Sequence, residues 1–128
     1  MDNSQVKKWI EKGPSLSLLE ATEDFGKSIA QGKGKLTTSQ IRQIFTRLKA
    51  LQAKGYANQR TEFMMLKPYI AYAAGRHRSD GINALKEKIT WGIEAVISGA
   101  PETEELRFSN FCKFFEAILA YHRAHGGN

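Results

Sequence analysis

The chain has 128 residues, of which 41% are hydrophobic, and a formal net charge of +6. That length suits one domain; no run of about 18 apolar residues is present to span a bilayer, and a single cysteine, Cys112, excludes an intrachain disulfide and any cysteine-based zinc site. The N-terminal stretch MDNSQVKKWIEKG holds no apolar segment of signal-peptide length, so the expected location is the cytoplasm.

The hydrophobic period is helical almost throughout, and β-branched residues are sparse and do not alternate. The expected fold is all-α, a compact bundle of about five helices in one domain over residues 1–128, with residues 1–15 flexible. Leu16 to Ala30 reads as the first amphipathic helix, burying Leu18, Leu19, Phe25 and Ile29. Residues 31–35, QGKGK, read as a flexible basic linker whose glycines end that helix. Thr37-Thr38-Ser39 supplies an N-cap hydroxyl for the next helix, which Gly55 stops. Its Ile41, Ile44, Phe45, Leu48 and Leu51 share one stripe, flanked by Arg42 and Lys49 on one margin and Arg47 and Lys54 on the other.

A third helix is predicted from about Asn58 to Ala74, with a kink or break at Pro68, which has no backbone N–H. Asp80 is expected to cap a fourth helix, with Ile82, Leu85, Ile89, Ile93 and Val96 buried. Gly99-Ala100-Pro101 ends it. The last helix runs from about Glu104 to Ala124, with acids near its positive end and an apolar face of Phe108, Phe111, Phe115, Ile118, Leu119 and His122.

Charge is unevenly spread along the chain. Between Phe25 and Ser79 stand eleven Lys and Arg and one acid, Glu62, a net +10; the remainder carries −4. A segment of one sign reads as a surface kept for a polyanion. Its bland alternative is a solvated basic face without a ligand.

No constellation points to catalysis. GKGK has neither the spacing nor the preceding strand of a phosphate-binding loop. His77, His122 and His125 do not converge with acids or cysteines, so neither a metal nor another cofactor is expected. His122, on an apolar face, reads as a hydrogen-bonded core histidine, and Cys112 as a small buried hydrophobe. Trp91 lies opposite its helix's buried stripe and reads equally as a docking or stacking residue and as one covered within the bundle. Tyr69 and Tyr72 are expected to pack as a structural rim around Ala71, Ala73 and Ala74.

The stretch LKPYIAYAAGRHRSDG, residues 66–81, starts as an apolar helix and ends in cations. Gly75 is placed to stop the helix. Arg76 and Arg78 then lie at its negative end, where capping alone contributes about 0.3–1 kcal/mol. Two arginines in an already basic segment suit phosphate oxygens better, since a guanidinium can donate two parallel hydrogen bonds to them.

Three blocks, LTTSQIRQIF at 36–45, LKPYIAYAAGR at 66–76 and FCKFFEAILAYHRAHGG at 111–127, resemble the small subunit of type III-A, Csm-type, CRISPR RNA-guided interference complexes. The resemblance covers most of the chain from Leu36 onward and does not reach the first 35 residues. It implies an all-helical, non-catalytic subunit that self-associates into a dimer or filament, joins the other subunits of the complex and lines the channel holding guide RNA and target RNA. Within the matching blocks it points to Arg42, Lys67 and Arg76 as nucleic-acid-binding residues; charge adds Arg47, Lys49, Lys54 and Arg78. Tyr69 stands where a longer polar or basic residue is expected. Two other readings remain: a helical adaptor whose basic face meets an acidic protein, and a DNA-binding regulator, for which no base-reading recognition helix is evident.

Overall fold

Residues 1–128 are described by a computed structural model, and every regular element is helical. The α-helices are α1 (Asn3–Lys12), α2 (Leu16–Ala30), α3 (Thr38–Lys54), α4 (Arg60–Met64), α5 (Leu66–His77), α6 (Asp80–Ile97) and α7 (Glu104–Ala124). Short 3₁₀ turns at Tyr56–Asn58 and Pro101–Thr103 precede α4 and α7. Six helices therefore have at least ten residues, against the five expected, and α4 is a single short turn.

The additional helix is α1, in the segment expected to be flexible. The Asp2 carboxylate accepts from the Gln5 N–H, and the Gln5 side chain accepts from the Asp2 N–H, a capping box that satisfies two otherwise free donors. Val6, Trp9 and Ile10 recur at helical spacing and are buried. The Trp9 indole donates to the Asn110 carbonyl at 3.1 Å, and Asn110 Nδ2 donates to the Ile10 carbonyl at 3.0 Å. These reciprocal bonds fasten α1 to α7. Each buried side chain of this kind contributes about 1.5–3 kcal/mol.

α7 is the central helix. α2 packs along it, α1 lies against α6 and α7, and α3 crosses it where Phe45 meets Phe115 at 5.4 Å between ring centroids. Phe63, Phe108, Phe111 and Tyr56 form an aromatic cluster under α4, with centroids 4.5 to 5.8 Å apart. α5 is held between α3 and α6. One contiguous core runs through all of these elements.

Several boundaries differ from the sequence reading. The third helix breaks at Met65, three residues before Pro68, so the proline sits in the first turn of α5, where no N–H is needed. α5 continues through Gly75 to His77. Arg78, not Gly75, is its C-cap, in the left-handed conformation (φ 51°, ψ 39°), and its N–H donates to the Ala74 carbonyl. Ser79, not Asp80, caps α6: its hydroxyl accepts from the Ile82 N–H, while Asp80 occupies the first turn, where the helix dipole favours an acid.

The glycine-rich segment expected to be a flexible linker is a fastened turn. Leu36 N–H donates to the Ile29 carbonyl at 2.7 Å, Gly81 N–H to the Gly34 carbonyl at 2.8 Å, and Gln31 Nε2 to the His125 carbonyl at 3.3 Å. His122 Nε2 donates to the Leu36 carbonyl at 2.6 Å; a carbonyl only accepts, so the ring proton belongs on Nε2. Gly81 is required here, because a Cβ would lie 2.6 Å from the Leu36 nitrogen. The turn thereby fixes where α3 starts.

Candidate nucleic-acid interface

α3 is built so that one helix both anchors and presents charge. A Thr37–Gln40 capping box starts it, and Gly55 ends it with an N–H donated to the Gln52 carbonyl. Ile41, Ile44, Leu48 and Leu51 are buried, with Phe45 half-buried beside them. From Thr38 to Lys54 the helix contains no Asp or Glu. Its outer surface is therefore positive and polar along its whole length, with Arg42, Arg47, Lys49 and Lys54 all exposed. Residues seven apart on a helix lie on one margin about 10 Å apart, which sets Arg42 with Lys49 and Arg47 with Lys54.

The two margins have different neighbours. Arg47 reaches across to α5, where its guanidinium carbon lies 3.8 Å from the centre of the Tyr69 ring. Such stacking is worth about 0.5–1 kcal/mol at an exposed site and leaves the charge uncancelled. Arg47 of α3 thus sets a cation over position 69, where the family resemblance leads one to expect a longer polar or basic residue. Lys49 Nζ donates to the neutral Gln52 side chain at 3.0 Å and lies 5.8 Å from the Phe45 ring centre. Near Arg42, Thr38, Ser39, Gln43 and Thr46 line a shallow depression that contains no hydrophobic residue. Charge counting passed over these hydroxyl and amide groups; their spacing along an acid-free helix was the available signal.

α5 contributes the second part. Arg76 lies seven residues beyond Tyr69, on the side of α5 that meets α3, and is exposed without an ion pair. Arg78 has a mixed role. Its Nε donates to the Gly75 carbonyl at 3.2 Å, so it caps α5 with its side chain as well as its backbone. Its two outer guanidinium nitrogens make no bond within the chain.

Lys67 does not join this group. Two residues before Tyr69, it faces the other side of α5 and forms an ion pair with Glu94 of α6 at 3.0 Å. The wheel position explains this: successive residues turn by about 100°, so positions 67 and 69 point apart. Of the eleven cations between Phe25 and Ser79, Lys67 and Arg60 are ion-paired. Arg60 Nε donates to Glu104 at 2.8 Å, and Tyr56 donates to the same carboxylate at 2.7 Å. Burial works to raise the Glu104 pKa, but hydrogen bonds from Arg60 and Tyr56, with the Arg60 charge, outweigh it and leave the pKa lowered. Burial, followed by the bond to Glu104, raises that of Tyr56.

The remaining candidates are structural. His122 is fully buried and hydrogen-bonded through Nε2, while its Nδ1 has no partner. Burial pushes the Cys112 thiol up to about 12, so at neutral pH it is a protonated, unreactive core group. Trp91 is half-buried, with Lys88 Nζ 4.6 Å from its ring centre. No group of three or more His, Cys, Asp and Glu is arranged to hold a metal, and no helix is long and apolar enough to cross a membrane.

The model of one protein family, Csm2 Type III-A, matches residues 14–128, nearly the whole chain. No curated protein and no solved structure matches it.

Proposed function

This chain belongs to the Csm2 Type III-A family, the small subunit of type III-A CRISPR complexes, and from that premise we propose that it is a non-catalytic, RNA-holding subunit. Arg42, Arg47, Lys49, Lys54 and Arg76, with the free end of Arg78, lie along the RNA backbone and neutralise its phosphates. Lys67 is left out because Glu94 already balances it. The exposed Ser39 and Thr46 hydroxyls and the Gln43 amide beside Arg42 supply neutral hydrogen bonds to phosphate and sugar oxygens. Guide and target pair with one another, so sequence reading belongs to the RNA, and these cations hold its backbone. The partners are guide RNA, target RNA, the other subunits of the complex and further copies of this chain.

One observation supports this reading above the rest: an exposed helix of 17 residues without an acid, whose four cations are free of ion pairs. An adaptor for an acidic protein needs the same charge. RNA is favoured by the family and by the absence of any hydrophobic residue from the depression around Arg42. The test is the salt dependence of binding to unstructured single-stranded RNA. Affinity should be equal for different sequences and fall with salt at a log–log slope of about −0.7 per neutralised phosphate. A flat salt response, or tighter binding to a polyglutamate peptide than to RNA, contradicts the reading.

A further inference from the structure

Four large hydrophobic side chains are exposed: Leu16, Met65, Tyr72 and Leu106. Three of them have an acid within one helical turn. Glu20 follows Leu16, Glu62 shares a surface depression with Met65, and Glu102, Glu104 and Glu105 precede Leu106. Tyr72 differs on two counts. It is the aromatic one, and it stands on α5, which has no acid between Leu66 and His77.

The surroundings of Tyr72 leave its ring open. It is 69% exposed, and no aromatic ring, cation or hydrogen-bond partner of the chain meets it. Its neighbours three and four positions away are Pro68, Tyr69, Gly75 and Arg76. Gly75 contributes no side chain, and the space a Cβ would enter there has nothing within 4 Å. Tyr69 is already covered by the Arg47 guanidinium at 3.8 Å, whereas the tyrosine one turn further has no such cover. A flat group can therefore reach Tyr72 while Arg76, one turn on, holds an adjoining anion. Tyr69 is partly buried and fits the structural rim expected of both tyrosines; Tyr72 does not.

We propose that Tyr72 is a stacking platform for an unpaired nucleobase of the RNA strand whose phosphates lie along α3 and the end of α5. This rests on the phosphate-holding role proposed above and adds to it a contact with a base rather than with the backbone. A nucleobase fits the site because it is planar and is always attached to the phosphate that Arg76 attracts, and because aromatic stacking accepts any base and so needs no sequence-reading group. An apolar protein side chain has no comparable reason to approach a surface of uncancelled cations.

The test compares Tyr72→Ala, Tyr72→Phe and Arg76→Ala in the full chain. Each is titrated with a single-stranded RNA carrying 2-aminopurine and with an abasic sugar–phosphate strand of the same length. Tyr72→Ala should weaken binding of the base-bearing strand by about fivefold or more and relieve the 2-aminopurine quenching. Its salt slope and its affinity for the abasic strand should stay unchanged, and Tyr72→Phe should behave as the parent chain. Arg76→Ala should weaken both strands and make the salt slope shallower. If Tyr72→Ala leaves the base-bearing strand unaffected, or weakens both strands alike, the stacking role is overturned. It is overturned equally if the substitution disrupts association between copies while RNA binding persists. In each of those cases an intact Arg76→Ala effect leaves the phosphate reading standing, whereas loss of the salt dependence in the parent chain overturns that reading itself.

Discussion

The outer surface of α3 and α5 and the corner where α6 meets α7 use the same side chains in opposite ways. On the first, Arg42, Arg47, Lys49, Lys54 and Arg76 are exposed and none forms an ion pair, although Glu62 shares a depression with Arg47. At the second, Arg107 is buried: its Nε donates to the Val96 carbonyl at 3.0 Å, Nη2 to the Ala100 carbonyl at 2.9 Å, and Nη1 to the Thr103 hydroxyl. Those carbonyls lie at and beyond the end of α6, where the helix leaves acceptors without partners. Away from that corner, in the middle of α6, Lys88 is buried too, paired with Glu87 at 2.7 Å and set against Trp91. A cation is structural where a chain end or a carboxylate claims it, and available where a helix offers neither free carbonyls nor acids.

Removing Arg107 tests the structural side most severely. Arg107→Ala takes the side-chain donor from the Val96 carbonyl and removes a buried side chain, though the Ala100 carbonyl keeps the Thr103 N–H; it should lower unfolding stability in urea by about 2–4 kcal/mol, while the protein that remains folded keeps its RNA affinity. Glu104→Gln should cost about 1–2 kcal/mol by weakening the bonds from Arg60 and Tyr56. Because the folded pKa of Glu104 is lowered, its contribution is present above the unfolded value of 4.5 and is lost as pH falls below it. The parent chain should therefore lose stability on acidification through that range, and the Gln variant should show a flatter profile in pH-dependent thermal melts.

On the other side, Arg42→Ala with Arg76→Ala should weaken RNA binding on the order of tenfold and reduce the salt slope by about 1.4. Unfolding stability should move by less than about 0.5 kcal/mol per site, because both side chains are exposed. Lys67→Ala should do least: an exposed ion pair is worth about 0–1 kcal/mol, and RNA affinity measured by anisotropy should not change. A large loss of RNA binding in that variant would place the interface on the α6 side of α5 and dissolve the contrast.

What could be seen in the sequence was local. The α2 and α3 boundaries, the Thr37 cap, the Gly55 stop and the four α3 cations all follow from residues within a turn or two of one another. Long-range pairings could not be seen. Lys67 looks like Arg76 until Glu94, 27 residues away, is found beside it, and Arg60 is claimed by Glu104 at a separation of 44. α1 was missed for a related reason: its anchor is the Trp9 bond to Asn110, 101 residues distant, although the Asp2–Gln5 box and the Val6, Trp9, Ile10 spacing were there to be read. At the end of α5 a glycine is not by itself a stop: Gly75 continues the helix, and Arg78 takes the left-handed cap.

Lysine acetylation footprinting of the full chain, with and without single-stranded RNA, tests the central claim most directly. Lys49 and Lys54 on α3 should become protected when RNA is bound, while Lys7 and Lys8, exposed on α1, which packs on α6 and α7, should react at the same rate in both states. Equal protection of all four, or protection of the α1 pair alone, would contradict an RNA-holding surface on α3 and α5.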